Sequence, residues 1–203
     1  MIIVFLFGFL FSFFGYMFPS VLNMNALKIS LKGNNKQLTH FVFGASSIVF
    51  LQAYLSVYLT VFIRENPSFL IFLEKTGVFI LLGLSVYFYT QNKKDRKQIT
   101  TRKVSKNGFI TGATLSLLNM FSIPFFFGSA SLLMAFDSIT FDFYAKTFFV
   151  LGAVLGCFFI LNLYGKYATK IQQKTGTLTN HLNLILSFIT AIFAVFTFLK
   201  FVI

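Results

Sequence analysis

The sequence is poor in charge, in proline and in cysteine, and it contains no tryptophan. Among its 203 residues, 11% are charged, 3 are Pro and 1 is Cys. The single Cys157 excludes an intramolecular disulfide and a CxxC redox pair. What the chain does contain is apolar, since 57% of its residues are hydrophobic. A soluble domain of this length cannot bury so much apolar surface, so the sequence predicts a protein embedded in lipid.

Motifs of catalysis and of cofactor binding are missing as well. No group of His, Cys, Asp or Glu has the spacing of metal ligands, and the chain has no GxSxG, P-loop or HExxH motif. The sequence therefore predicts no enzyme activity, no cofactor and no metal site. The net charge of +12 does not indicate a nucleic-acid partner, because most of the basic residues lie in three short links between apolar runs.

Six apolar runs are long enough to cross a lipid bilayer as helices. They extend over about Ile2–Ala26, Leu38–Phe62, Phe69–Tyr89, Phe109–Ala135, Phe143–Tyr164 and Leu182–Ile203. The N-terminal run lacks a basic segment before it and a small-residue cleavage site, so we expect a true first span there and not a removed signal peptide. The predicted fold is an all-α integral membrane protein with six transmembrane helices.

The distribution of Lys and Arg predicts the orientation of these helices. The first, third and fifth links carry most of the positive charge: Lys28, Lys32, Lys36, Lys93, Lys94, Arg96, Lys97, Arg102, Lys103, Lys106, Lys166, Lys170 and Lys174. We therefore expect the odd-numbered links in the cytoplasm and both termini on the outer side of the cytoplasmic (inner) membrane.

The two halves of the chain resemble each other, which predicts an internal repeat. Leu22–Met24 recurs as Leu118–Met120, and Phe41–Ala45 recurs in the same order as Phe149–Ala153. Three helices per half is an odd number, so the repeats would be inverted in the membrane. The alternative is chance similarity between helices rich in Phe and Leu. The expected organisation is a single transmembrane domain over 1–203, with a first repeat at about 1–91, a basic cytoplasmic loop at about 92–107 and a second repeat at about 108–203.

Each copy of the first repeated segment places an Asn near a Pro within an apolar run. The pairs are Pro19 with Asn23 and Asn119 with Pro124. An amide in hydrocarbon needs a partner and proline frees backbone carbonyls, a combination that transporters use at broken helices that bind cargo. We predict that these four residues form a binding site for a zwitterionic or polar solute. The alternative is that each Asn caps a helix break or bonds a neighbouring helix.

Other polar and small residues in the predicted spans are candidates for binding or for packing. Gln52 lies midway along the second span, and Ser56, four residues later, shares its helix face. This face either lines a polar pathway, with Gln52 as a substrate ligand, or bonds another helix. The GxxxG ridges at Gly108–Gly112 and Gly152–Gly156 let helices approach closely and permit a homodimer.

With these motifs the sequence resembles the lysine exporter (LysE) superfamily, which includes the homoserine and threonine exporters. Gly15–Asn23 is similar to the family's proline-containing motif in the first span. Lys106–Phe125 is similar to its fourth-span pattern of a glycine-led entry followed by Leu-Asn-Pro. The chain departs from the family in keeping only Pro19 of the usual Pro-Gly-Pro, and in having Asn119-Met120 in place of Asn-Pro. The resemblance implies export of amino acids or related small solutes.

The predicted function is outward transport of a small polar solute by alternating access, driven by a gradient. No carboxylate lies at mid-depth in a predicted span, so a neutral amino acid or a derivative fits better than lysine or arginine. Two alternatives stay open. A non-transporting membrane scaffold or assembly factor would account for the reduced Pro-Gly-Pro, and a metal-ion exporter would use Met24 and Met120 as soft ligands.

Cysteine accessibility tests the predicted orientation. In a Cys157→Ala background, single cysteines are introduced as Asn66→Cys in the second link and Asn92→Cys in the third. A membrane-impermeant maleimide should label Asn66→Cys on intact cells, and Asn92→Cys only after the cells are opened, because the more basic link stays inside. The reverse labelling pattern would contradict the orientation.

Overall fold

The computed structural model describes residues 1–18, 20–66, 68, 69, 82, 83, 85, 86, 107–119, 121–135 and 141–175. Regular structure in these residues is helical, without a strand. The helices are α1 (Ile2–Gly15), α2 (Val21–Leu31), α3 (Asn35–Glu65), α4 (Gly108–Leu117), α5 (Ser122–Ala135), α6 (Phe143–Lys166) and α7 (Ala168–Thr175). Most of the third predicted span and all of the sixth lie outside the described residues.

Two of these helices are long and apolar enough to cross a membrane, namely α3 with 31 residues and α6 with 24. Helices α4 and α5 give a third crossing if they are counted as one span, with a bend of 64° between them. Helix α1 is apolar but shorter, at 14 residues. The described residues therefore support two or three crossings of the six that the sequence predicts.

The first and fourth predicted spans are each interrupted. The first stops at Gly15 and resumes at Val21, and it then continues to Leu31, beyond the predicted end at Ala26. Ser20 begins the second segment, since its hydroxyl accepts a hydrogen bond from the Asn23 backbone amide at 3.3 Å. The helix thus runs past Lys28, whose charge had suggested an earlier end.

The fourth span is interrupted between α4 and α5. Pro124 lies in the first turn of α5, where the missing N–H of a proline costs no helical hydrogen bond. One turn further into a helix the same proline would clash with a preceding carbonyl, so α4 cannot continue unbroken through this position. Helix α7 was not predicted, because it is short and polar; Ala168 is buried at its start and Ile171 packs against the core.

The chain divides into two compact units. The first consists of 1–62 and 103–173, and the second of 63–102 and 174–203. Each unit takes segments from both halves of the sequence. Helices α1, α2, α4, α5 and α6 and both interruptions belong to the first unit, together with nearly all of α3.

Two helix crossings of the same design occur in the first unit. Both use the motif Phe-x-x-Gly, which is present as Phe5–Gly8 in α1, Phe41–Gly44 in α3, Phe109–Gly112 in α4 and Phe149–Gly152 in α6. In the crossing of α1 with α6, the Phe149 carbonyl occupies the place that a Cβ on Gly8 would need. The Phe5 carbonyl does the same at Gly152. The contact is therefore reciprocal, with each glycine facing the phenylalanine carbonyl of the other motif.

The crossing of α3 with α4 repeats this arrangement. Gly44 faces the Phe109 carbonyl, and Gly112 faces the Phe41 carbonyl. Such close approach requires glycine and sets Cα–H groups against carbonyl oxygens. The ridges predicted at Gly108–Gly112 and Gly152–Gly156 are confirmed as packing surfaces, but they pack within the chain, so a homodimer has to use other surfaces.

Both helix pairs are parallel. Gly152 lies against the backbone of Phe5 and Phe9, and Gly156, one turn later, lies against Phe9 and Phe13. Helices α1 and α6 therefore run in the same direction. The glycines of α4 contact α3 in the same order along the sequence, so these two helices are parallel as well. Each pair joins one helix from the first half of the sequence to one from the second.

Alanine substitution tests the crossings. Gly152→Ala should lower the free energy of unfolding by about 1–3 kcal/mol, because the new methyl group collides with the backbone of α1. Gly128→Ala is the matched control, since Gly128 lies in α5 with nothing within 4 Å of the added Cβ. This control should be neutral or stabilising, as alanine favours helix. Thermal unfolding in detergent measures both, and equal melting temperatures would contradict the crossing.

Candidate substrate site

The interruption between α1 and α2 is closed by the side chain of Asn23. Asn23 is fully buried in α2, and its Nδ2 donates to the carbonyl of Tyr16 at 2.6 Å and to that of Phe18 at 2.8 Å. Both carbonyls belong to the interruption and have no helical partner there. The amide thus supplies the donors that the broken helix lacks.

Tyr164 of α6 completes this closure. Its hydroxyl donates to the Met17 carbonyl at 2.6 Å. Three successive carbonyls, of Tyr16, Met17 and Phe18, are therefore bonded by side chains of the protein. Residues of the first interruption are held both by their own chain segment and by α6.

Side chains of α3 form hydrogen bonds to the backbone on both sides of the interruption between α4 and α5. The Ser116 carbonyl accepts the Asn119 backbone amide at 3.0 Å and the Gln52 Nε2 at 3.1 Å. Further along α3, the Ser56 hydroxyl lies 2.9 Å from the Ile123 carbonyl at the start of α5, and it also reaches the Gln52 carbonyl. The polar face predicted from Gln52 and Ser56 thus bonds the backbone of a broken helix.

Tyr16 brings the two interruptions together. Its hydroxyl is buried and lies 2.8 Å from the hydroxyl of Ser122, the first residue of α5. The Ser122 backbone amide in turn donates to the Asn119 carbonyl at 3.2 Å. Tyr16, whose carbonyl Asn23 bonds, and Ser122 thus link the two asparagines.

Two side-chain amide oxygens in this cluster have no hydrogen-bond partner among the described residues. Asn23 Oδ1 and Gln52 Oε1 are buried and have no hydrogen bond among the described residues. Their orientation is fixed, because the nitrogen of each amide donates to a backbone carbonyl. An amide oxygen accepts and cannot donate. In the part of the chain that the structure describes, the cluster therefore offers two buried acceptors and no charged side chain.

The structure places the five residues predicted for the site as follows. Asn23, Gln52 and Asn119 belong to the cluster around the two interruptions. Pro124 is exposed, in the first turn of α5, next to the Ile123 carbonyl that Ser56 bonds. Pro19 lies outside the described residues.

Other members of the cluster were not predicted from the sequence. Tyr16 and Ser122 connect the two interruptions, and Tyr164 bonds the first one from α6. No spacing in the sequence singles out any of these three residues. The alternative metal site used Met24, which packs partly buried against the core, and Met120, which lies outside the described residues.

A chain with apolar spanning helices, two of its helical segments interrupted and an uncharged polar cluster between them, is a multi-pass membrane protein of the transporter class. The model of the LysE type translocator family matches residues 13–201, almost the whole of the 203-residue chain, and the chain belongs to this family. The resemblance seen in the sequence is thereby confirmed. The protein is a membrane translocator of small solutes, from a family of transporters and not of enzymes. Comparisons with curated proteins and with solved structures find no match.

Substitution of the capping amide tests the first interruption. Asn23→Ala removes the donor from the buried Tyr16 carbonyl and the partly buried Phe18 carbonyl, and it should lower the free energy of unfolding by about 1–3 kcal/mol. Asn25→Ala is the control, because the Asn25 amide bonds the Val21 carbonyl one turn earlier in its own helix. Thermal unfolding of both variants in detergent measures the difference. If Asn25→Ala costs as much as Asn23→Ala, the capping role is wrong.

Proposed function

We propose that the protein exports a neutral amino acid or a related small polar solute across the cytoplasmic membrane. Export would proceed by gradient-driven alternating access around the interruptions of the first and fourth spans. The observation that carries this proposal is the polar cluster where both interruptions meet, with the buried acceptors Asn23 Oδ1 and Gln52 Oε1.

The reciprocal crossings support an inverted repeat with six spans. Helix α1 packs parallel to α6, and α4 packs parallel to α3. Both pairs use the Phe-x-x-Gly motif. If the second half of the chain repeats the first, then α4 corresponds to α1 and α6 to α3, and each crossing corresponds to the other. In transporters built from inverted repeats, the substrate site lies near the bilayer midplane where the repeats meet.

The chemistry of the cluster supports an ammonium-bearing cargo. Two fixed acceptor oxygens match N–H donors, which the ammonium group of an amino acid supplies. Buried hydroxyls such as Ser116 Oγ, which has no partner among the described residues, are able to donate to a carboxylate. Among the described residues, the cluster contains no carboxylate that would favour a cargo side chain with a second positive charge.

Metabolite profiling followed by reconstituted efflux tests the proposal. Overexpression should raise one neutral amino acid or amine in the medium, and deletion should raise it inside the cell. In liposomes loaded with that solute and with its 2-hydroxy acid analogue, only the ammonium-bearing compound should leave.

Gln52→Leu removes one of the acceptors and should reduce efflux at least tenfold. Asn162→Ala is the matched control, because the Asn162 amide bonds the Phe158 carbonyl of its own helix α6. Both variants are compared at equal amounts of folded protein. Efflux by Gln52→Leu at the wild-type rate would remove Gln52 from the site, and no efflux of any solute by the wild type would contradict export.

A membrane scaffold is the second candidate, and one observation favours it. The three carbonyls of the first interruption are all bonded by Asn23 and Tyr164, so this interruption is closed by the protein itself. A scaffold that keeps the fold would retain such closure permanently. A transporter would exchange these partners during its cycle, so the infrared stretch of an isotope-labelled Met17 or Phe18 carbonyl should shift when the cargo is added, whereas a scaffold should show no shift.

A further inference from the structure

Five lysines gather at one end of the first unit. They are Lys28, Lys32, Lys36, Lys166 and Lys170. Three helix ends meet there, because the Ser30 hydroxyl near the end of α2 donates to the Gly165 carbonyl of α6 at 2.7 Å, and the Leu38 side chain of α3 packs on Gly165. This surface brings together charges that are far apart in the sequence.

The ring of Tyr167 lies close to two of these charges. The Nζ of Lys166 is 5.8 Å from the centroid of the Tyr167 ring, and that of Lys170 is 6.0 Å from it. The ring is 44% exposed. Each ammonium gains a cation–π contact, but two like charges beside one ring repel each other. An anion bound between them would remove this repulsion.

The described part of the chain has no carboxylate at this end to act as that anion. The acidic residues described are Glu65 and Asp142. Asp142 caps the start of α6, whereas Lys166 ends this helix of 24 residues. At a rise of about 1.5 Å per residue, the two are roughly 36 Å apart. Glu65 similarly ends α3, the helix that begins beside Lys36.

The position of the surface fits the headgroup layer of the bilayer. Helix α6 is a candidate membrane span and ends at Lys166, so Tyr167 follows where the hydrocarbon ends. Tyrosine is enriched at this level of a membrane. Helix α7 is held on the protein by Ala168 and Ile171, while Lys170 stays exposed.

We propose that Lys166, Tyr167 and Lys170 form a binding surface for the phosphate of an anionic phospholipid headgroup, with Lys28 and Lys32 adding positive charge nearby. The two ammonium groups would contact the phosphate diester, and the tyrosine ring would lie beside the glycerol. Phosphatidylglycerol carries a net negative charge and fits this surface. Phosphatidylcholine carries a quaternary amine that the lysines repel. The proposal does not depend on what the protein transports.

Native mass spectrometry of the detergent-solubilised protein with added lipid tests the surface. Phosphatidylglycerol should bind in preference to phosphatidylcholine, and added salt should weaken its binding. Lys166→Gln combined with Lys170→Gln should weaken it about fivefold per lysine, or roughly 25-fold for the pair. Lys146→Gln is the matched control, because Lys146 lies near the opposite end of the same helix and should bind lipid as the wild type does.

Three outcomes would overturn the proposal. The first is equal binding of phosphatidylglycerol and phosphatidylcholine. The second is a double variant that binds phosphatidylglycerol as tightly as the Lys146→Gln control. The third is a loss in the double variant that appears with an oligonucleotide or an acidic peptide as the probe, but not with the lipid. Reduced lipid binding by Tyr167→Leu, with both lysines present, would further support the role of the ring.

Discussion

A helix that is interrupted inside a bilayer leaves backbone carbonyls that no water reaches, and each of them needs a donor from the protein. Four uncharged polar side chains of the described residues meet this requirement. Asn23 and Tyr164 bond the carbonyls of the first interruption, and Gln52 and Ser56 bond those around the second. Asn23 is a local donor, whereas Tyr164, Gln52 and Ser56 come from distant parts of the chain, so each interruption also depends on a neighbouring helix.

Those donors reach their carbonyls because glycine brings the helices close. Gln52 lies eight residues, about two turns, after Gly44, and Ser116 lies one turn after Gly112. Since Gly44 and Gly112 form the crossing of α3 with α4, the crossing fixes the register in which Gln52 meets the Ser116 carbonyl. A larger residue in the crossing would separate the helices and remove the Gln52 bond to that carbonyl, so packing and hydrogen bonding depend on each other.

The sequence predicts the interruptions well, because their cause is local. Proline and asparagine in an apolar run are expensive, and Pro124 and Asn23 do mark places where helices break. The sequence does not predict the partners. Tyr16 and Ser122 are 106 residues apart, and only tertiary structure brings their hydroxyls together. Nor does hydropathy predict that α2 continues beyond Lys28, because the charge ends the apolar run but not the helix.

The helix crossings are also only partly predictable from the sequence. Phe41–Gly44 and Phe149–Gly152 were recognised as a repeat, whereas Phe5–Gly8 and Phe109–Gly112 were not. In a chain with 32 Phe and 13 Gly, such short motifs also arise by chance. A glycine becomes significant only when a carbonyl of another helix lies against it, as at Gly8 and Gly112. This property belongs to the pair of helices and is absent from either sequence segment alone.

If the protein exports an amino acid as proposed, the hydrogen bonds that close the interruptions also restrict that cargo. The amide nitrogens of Asn23 and Gln52 are used by the backbone, and their oxygens remain unbonded among the described residues. The two amides therefore offer only acceptors to a ligand, so a cargo group that donates hydrogen bonds to them lowers the energy of the proposed site. An ammonium group has that property, and a carboxylate alone does not. Substituting Gln52 by a residue with two donors and no acceptor should therefore disfavour binding even if the helix packing were kept.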